Sequence, residues 1–159
     1  MAEKQQEGDA SASECLERTH LHGHCYCGQF EFLIPQDITP HRSLFCHCDS
    51  CRRAHASPLY QVIYIPEEQF LITSGHKVVQ EYRKENAMVT RAFCKECGSR
   101  LFNKLHGPNR IGWLGFFPNL LDENILKSLP TNLLPTHHVH TGETVLDLER
   151  FHDELIRME

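Results

Sequence analysis

Short alternating and β-branched runs, separated by turn residues, recur along most of the chain. Residues 29–34 alternate polar and apolar side chains before Pro35, and residues 59–65 are rich in aromatic and β-branched side chains. Both patterns are typical of strands. Further strands are predicted at residues 70–72, 77–83, 88–93, 100–105 and 110–117. The spacing of these runs predicts a mainly β domain built of antiparallel strands.

The remaining segments contribute little regular structure. Residues 52–55 predict a short helical turn, and residues 119–129 predict a loop or a short helix. Residues 137–140 predict the end of a strand, whereas residues 146–158 suggest an amphipathic helix at the end of the chain. The single Trp113 is predicted to pack in the core.

One domain accounts for the chain. Its 159 residues and 18.4 kDa suffice for a single core but not for two. Residues 1–18 are small and polar, which predicts a disordered tail in which Cys15 has no role. Residues 19–159 then form a single zinc-binding domain, for the reasons given below.

Charge and hydropathy exclude several classes of function. The net charge of -5 and the isoelectric point near 6.2 disfavour a protein that binds nucleic acid. No apolar run approaches the ~20 residues of a membrane span, and the N-terminal residues lack the apolar core of a signal peptide. We therefore expect a cytoplasmic protein, in which eight cysteines are metal ligands or reactive thiols rather than disulfides.

Seven of the cysteines form three clusters. They are Cys25 and Cys27, then Cys46, Cys48 and Cys51, then Cys94 and Cys97. Three such clusters predict zinc, because the longer cysteine runs of iron–sulfur proteins are absent. Seven ligands divide into a closed site of four and an open site of three, so we expect two zinc ions per chain.

The central cluster is the most specific of the three. In an extended segment Cys46 and Cys48 share a face, and Cys51 lies one turn further along. Three thiolates leave one tetrahedral position for water or substrate, although this segment alone fits a closed four-cysteine site equally well. Spacing leaves the partition open: Cys94 and Cys97 join either Cys25 and Cys27 or Cys48 and Cys51.

Four sequence stretches together resemble one known family. They are HxHCYCGxxxF, FCHCDSCRRAHASP, RAFCKECGSRLF and PTHHV. The ordered set resembles the glutathione-dependent formaldehyde-activating enzyme family, which includes the centromere protein V domain, over roughly residues 20–150. The resemblance implies a β-tent fold, with twisted antiparallel sheets around zinc and short helical turns.

The resemblance also implies roles for the cysteines and a reaction. Cys25, Cys27, Cys94 and Cys97 match the structural zinc site, whereas Cys46, Cys48 and Cys51 match the catalytic one. The implied reaction condenses glutathione with formaldehyde to S-(hydroxymethyl)glutathione, formally a carbon–sulfur lyase run in reverse. The expected partner is therefore a small thiol such as glutathione, and the oligomeric state is left open.

Several residues near the clusters are candidate substrate contacts. Arg52 and Arg53 could bind the carboxylates of a glutathione-like ligand, or else lie on a solvated face. His138 matches a family histidine, for which we favour a structural hydrogen-bonding role over a catalytic one. His47 alternates with the ligands and is expected to point away from the metal, whereas His137 and His140 are expected to be exposed.

Two departures from the family leave the substrate open. Residues 130–144 are rich in histidine, and residues 147–159 form a charged end where the family has a short proline-containing turn. Function also depends on the site rather than on the fold. The alternatives to an enzyme are a non-catalytic zinc-binding interaction module of the centromere protein V type, and a zinc sensor or thiol buffer.

Overall fold

A computed structural model describes residues 19–159, so the predicted tail and Cys15 lie outside the described residues. The eleven strands are β1 (His20–His24), β2 (Glu31–Pro35), β3 (Arg42–Cys46), β4 (Tyr60–Pro66), β5 (Leu71–Ser74), β6 (Val79–Tyr82), β7 (Val89–Cys94), β8 (Arg100–Leu105), β9 (Trp113–Phe116), β10 (His137–Val139) and β11 (Ile156–Met158). Within residues 19–159 the α-helices of more than one residue are α1 (Asp49–His55) and α2 (Glu123–Leu126). Single 3₁₀ turns lie at Glu67–Gln69, His76–Val78, Pro118–Leu120, Thr131–Leu133, Thr141–Glu143 and Leu148–Arg150.

The strands form two sheets. The smaller sheet has the order β1-β2-β5, and the larger has the order β11-β10-β3-β4-β9-β8-β7-β6. All pairs are antiparallel except those that β10 makes with β3 and β11, which are parallel. The predicted mainly β fold of antiparallel sheets is confirmed, with a parallel edge that the sequence pattern did not predict.

Aromatic side chains fill the space between the two sheets. Phe32 of the smaller sheet stacks on Phe70 with ring centroids 4.6 Å apart, and Phe116 of the larger sheet packs 6.3 Å from Phe32. Strand β4 is apolar on both faces because Ile63 joins this core, whereas Val62 joins a second, smaller cluster with Cys46 and Cys51. The smaller cluster places the central cysteines against the outer face of the larger sheet.

The predicted helix at residues 146–158 is wrong. A 3₁₀ turn, Leu148–Arg150, is followed by strand β11, and the N–H of Ile156 donates to the carbonyl of Thr136 at 3.2 Å. Side chains at 144, 146 and 148 are half-buried while those between them are exposed. That period of two suits an extended chain, whereas an amphipathic helix needs a period near 3.6 to bury one face.

No helix within residues 19–159 combines the length and the apolar character that crossing a bilayer requires.

Candidate metal centres and the adjoining cavity

The first candidate metal centre lies where the two sheets meet. Its members are Cys25, Cys27, Cys94 and Cys97, whose sulfur atoms all lie within 4.8 Å of one another. Cys25 follows β1 of the smaller sheet, whereas Cys94 ends β7 of the larger one, and both are fully buried. Four cysteine sulfurs at this spacing fit the ligand set of a closed zinc site. The cluster therefore joins strand β7 of the larger sheet to the segment that follows β1 of the smaller sheet.

Two similar turns present these sulfurs. The N–H of Gly28 donates to the carbonyl of Cys25 at 2.9 Å, and the N–H of Gly98 donates to the carbonyl of Cys94 at 2.8 Å. The φ angles of Gly28 and Gly98 are 72° and 75°, a region that glycine occupies at little cost. In both turns the glycine that follows the second cysteine thus has the same backbone conformation.

The second candidate metal centre consists of Cys46, Cys48 and Cys51, whose sulfur atoms also lie within 4.8 Å of one another. Among the described residues this group has three members, against four in the first. Of the two partitions that spacing left open, the structure therefore forms the one that keeps the central cysteines together. Three sulfurs fit a zinc site with one coordination position left for another ligand.

Helix α1 sets the position of Cys51. Cys48 is its N-cap, and the Cys48 sulfur accepts from the N–H of Cys51 at 3.3 Å. Asp49 lies in the first turn and basic residues lie in the last, an arrangement that suits the helix dipole. The helix ends at His55, and its C-cap Ala56 has a φ of 49°, a left-handed conformation that does not continue the helix. It begins earlier than the predicted turn at residues 52–55, because Cys48 caps it.

Proton donors surround the Cys51 sulfur. The hydroxyl of Tyr60 lies 3.4 Å from it and Nη2 of Arg91 lies 3.8 Å from it. Hydrogen bonds from the thiols of Cys46 and Cys48 lower the pKa of Cys51 to about 2, with smaller contributions from Tyr60 and Arg91. Burial raises the pKa of Tyr60, which keeps its hydroxyl protonated. The surroundings of Cys51 therefore stabilise a thiolate.

A cavity of about 700 Å³ opens beside this cluster, and all three of its cysteines line it. The volume falls within the ~300–1,000 Å³ typical of small-molecule sites. Trp113 lines the cavity and packs against His41 with ring centroids 4.4 Å apart. It is only half-buried and belongs to neither buried cluster, so its predicted place in the core is wrong. The four-cysteine cluster does not line the cavity.

Arg52 and Arg53 are held by groups of the chain itself. Arg52 donates to the carbonyl of His47 at 3.1 Å and to the carboxylate of Asp49 at 3.4 Å. Arg53 also pairs with Asp49, and its side chain is 78 % exposed. Neither arginine is among the residues that line the cavity. Their role as substrate contacts stays a prediction.

His47 and His138 form a buried pair outside the cavity lining. Their rings are joined by a 2.7 Å hydrogen bond between His47 Nε2 and His138 Nδ1. At the two ends, His47 Nδ1 lies 2.9 Å from the Thr144 hydroxyl and His138 Nε2 lies 3.1 Å from the Asp153 carboxylate. This chain of contacts matches the structural role that we favoured for His138. The predicted exposure is confirmed for His140, whereas His137 is half-buried.

Sequence reasoning missed the arginines of the cavity. Arg42, Arg91 and Arg110 all line it, and they come from three separate parts of the chain. Arg91 lies between Thr90 and Ala92 in strand β7, and all three are buried. A charged residue inside an otherwise buried strand is the sequence signal that could have singled out Arg91. Arg42 and Arg110 are exposed and carry no comparable signal.

Comparison with known proteins gives a consistent set of relatives. A family described as glutathione-dependent formaldehyde-activating enzyme matches residues 20–141. A Colletotrichum graminicola protein named "Putative glutathione-dependent formaldehyde-activating enzyme" is 26% identical over 96 residues, which cover 60% of this chain and 49% of that protein. The chain therefore spans about half the length of this curated relative.

A solved structure supports the fold. The crystal structure of a Rhodobacter sphaeroides protein superposes with a TM-score of 0.55 and 13% sequence identity. The match covers 87% of this chain and 100% of that one. At this identity the likeness concerns the arrangement of strands and not the chemistry.

Proposed function

The chain belongs to the glutathione-dependent formaldehyde-activating enzyme family, and on that premise we propose that it is a zinc-dependent carbon–sulfur lyase. It joins glutathione, or a similar thiol, to formaldehyde or a related aldehyde. The observation that carries the proposal is the three-cysteine cluster opening onto a cavity of about 700 Å³. A cluster with only a structural role would need no such space beside it.

The two cysteine clusters are suited to different tasks. Cys25, Cys27, Cys94 and Cys97 would hold a structural zinc ion, because four sulfurs satisfy a tetrahedral ion completely. Cys46, Cys48 and Cys51 would hold a second zinc ion with one position for a ligand. When bound, this second ion supplies the chemistry of keeping an incoming thiol deprotonated.

The reaction is an addition whose atoms balance without any further reagent. The thiol sulfur forms a bond to the aldehyde carbon, the carbon–oxygen double bond becomes a single bond, and the thiol proton ends on the oxygen. The residues around Cys51 suit this addition. The protonated Tyr60 hydroxyl, 3.4 Å from the Cys51 sulfur, is placed to donate a hydrogen bond beside the cluster. The cavity holds the two reactants together, which lowers the entropic cost of their meeting.

The cytoplasm is the proposed location. All seven described cysteines are free, and each belongs to one of the two clusters. Free thiols persist where glutathione keeps cysteines reduced, and the same compartment supplies the proposed thiol substrate.

The rate of exchange between free formaldehyde and its glutathione adduct tests the proposal, because the reaction also proceeds without an enzyme. Exchange is measured by nuclear magnetic resonance with isotopically labelled formaldehyde, with and without the zinc-loaded protein. We expect the protein to accelerate exchange, and Cys48→Ser to return it to the uncatalysed rate while the fold is retained. A zinc-loaded protein that leaves the uncatalysed rate unchanged would overturn the proposal and favour a non-catalytic interaction module.

A further inference from the structure

The wall of the cavity carries three arginines and no carboxylate side chain. Arg42, Arg91 and Arg110 line it, whereas none of the lining residues is an aspartate or a glutamate. The chain as a whole has a net charge of -5, so this local excess runs against the overall balance. A cleft lined by one sign of charge concentrates the field and attracts ligands of the opposite sign.

These arginines also lack partners for their charge. Within residues 19–159, none of the three has a carboxylate oxygen within 4.0 Å. Other arginines of the same region are paired with aspartates: Arg52, Arg53, Arg150 and Arg157. The cavity therefore brings together three guanidinium groups that have no carboxylate partner among the described residues.

Arg91 is the most constrained of the three. It is only 7 % exposed, and its Nε atom is buried without a hydrogen-bond partner among the described residues. Nη2 donates to the hydroxyl of Ser50 at 3.1 Å and lies 3.8 Å from the Cys51 sulfur. A buried guanidinium is costly unless an anion compensates it. The thiolate character of Cys51 supplies part of that compensation.

The other two arginines lie too far along the sheet to act as counter-ions of the cysteine thiolates. Arg42 begins β3 and Cys46 ends it, so about 13 Å of extended strand separates them. In the strand register, Arg42 lies opposite Tyr64 of β4, and Trp113 lies opposite Pro66, two residues further along the same strand. Arg110, just before Trp113 in the chain, therefore lies at the same end of the sheet as Arg42. A role as counter-ion to the thiolates explains Arg91 but neither of these.

We propose that the cavity recognises its thiol through carboxylates, with Arg42 and Arg110 binding them at the end far from the cysteines. This rests on the proposed function and assigns the residues that determine specificity for a thiol of peptide size with more than one carboxylate. A chain of three residues spans about 10 Å when extended, so a peptide whose sulfur lies at the cysteines can extend a terminal carboxylate along β3 toward the Arg42 side chain. Arginine suits this role because its planar guanidinium binds a carboxylate through two hydrogen bonds. Arg42 and Arg110 thus determine specificity, and Arg91 supports the end that holds the sulfur.

Binding to the zinc-loaded full chain tests the site without relying on turnover. The probes for titration calorimetry are glutathione and its diethyl ester, which keeps the thiol but neutralises both carboxylates. We expect the ester to bind roughly tenfold more weakly or worse, and Arg42→Gln and Arg110→Gln each to weaken glutathione binding roughly tenfold. Arg150→Gln removes an equal charge from an exposed side chain outside the cavity and is the matched control. It should bind glutathione like the unmodified protein.

The two proposals fail in different ways. If the ester binds as tightly as glutathione, or if both cavity variants bind within twofold of the control, the carboxylate site is wrong. Accelerated adduct formation under those conditions would leave the proposed function standing. If binding depends on Arg42 and Arg110 but adduct formation is not accelerated, the site stands and the proposed function fails. A second readout is the kcat/KM ratio of glutathione to 2-mercaptoethanol, which should fall in the cavity variants and stay constant in the control.

Discussion

Replacing His138 with leucine should destabilise the fold through the hydrogen bonds that it joins. The direction of those bonds follows from the Asp153 carboxylate, which only accepts and so takes the proton of His138 Nε2. His138 Nδ1 then accepts from His47 Nε2, and His47 Nδ1 accepts from the Thr144 hydroxyl. Burial lowers the pKa of His47, which keeps this ring neutral with a single N–H. The hydroxyl of Thr144 in turn accepts from the N–H of Leu146 at 3.1 Å.

The expected loss has two parts. The leucine variant leaves the N–H of His47 without an acceptor at a position that is 0 % exposed, which costs about 1–3 kcal/mol. It also removes the bond to Asp153, whose side chain is 29 % exposed and is rehydrated, at a cost of about 0.5–1.5 kcal/mol. Leucine fills similar space between Phe45 and Phe151, whose rings pack against His138. The sum is about 1.5–4.5 kcal/mol, a large share of the ~5–15 kcal/mol by which a typical domain is stable.

Urea unfolding of the zinc-loaded protein at neutral pH measures this loss as a lower midpoint with an unchanged slope. His137→Leu is the matched control, since it makes the same change one position earlier on strand β10, where the side chain faces the other way. His137 hydrogen-bonds only to the adjacent Thr136 among the described residues, so its variant should lie within about 0.5 kcal/mol of the unmodified protein. If His138→Leu is destabilised no more than the control, the histidine pair does not support the fold and the reasoning is wrong.

Three further predictions concern the cysteines and the turns. Cys94→Ser should remove most of the stability of the fold, because structural zinc contributes on the order of 10 kcal/mol. Cys48→Ser should instead keep the fold and lose one zinc equivalent. Metal analysis and thermal melting check both variants, and equal destabilisation would contradict the division into two kinds of site. Tyr60→Phe should lower kcat/KM roughly ten- to a hundredfold, as expected for one lost hydrogen bond to a charged sulfur, and should lower the melting temperature only slightly. An unchanged kcat/KM would exclude a role for the hydroxyl. Gly75→Ala should lower the free energy of unfolding in urea by more than about 2 kcal/mol, since the φ of Gly75 is 81° and the added methyl carbon would overlap the carbonyl oxygen of Gln29. Gly142→Ala is the control, because a methyl group there meets nothing within 4 Å.

Much of the architecture could be predicted because its signals are local. The run at residues 59–65 became β4, Tyr60–Pro66, and the run at residues 100–105 became β8, Arg100–Leu105. β-branched and aromatic side chains favour strands wherever they are half-buried, so each run carried its own evidence. The cysteine pairs could also be predicted from the sequence, since a spacing of two or three residues in a turn directs both sulfurs to one point.

The C-terminal segment could not be predicted in the same way. The spacing of its apolar residues in the sequence fits a helix. In the structure, however, Ile156 lies opposite His137 in a parallel pair of strands at the edge of the larger sheet. That edge exists only once β10 has joined β3, and its exposed N–H and C=O groups are satisfied by a neighbouring strand but not by a helix. The preference for strand here comes from the rest of the fold.

The candidate metal centres could be predicted from the sequence, because cysteine type and spacing are properties of short segments. The set of arginines that line the cavity, by contrast, depends on the tertiary structure. Arg42 lies on β3, Arg91 on β7 and Arg110 in the loop before β9, and they meet only because β3, β4, β9, β8 and β7 are neighbours in one sheet. No local pattern encodes a meeting of residues that lie far apart in the chain, since it depends on strand order and register. The cysteine clusters follow from short segments of the sequence, whereas the arginines that line the cavity are brought together by the pairing of distant strands.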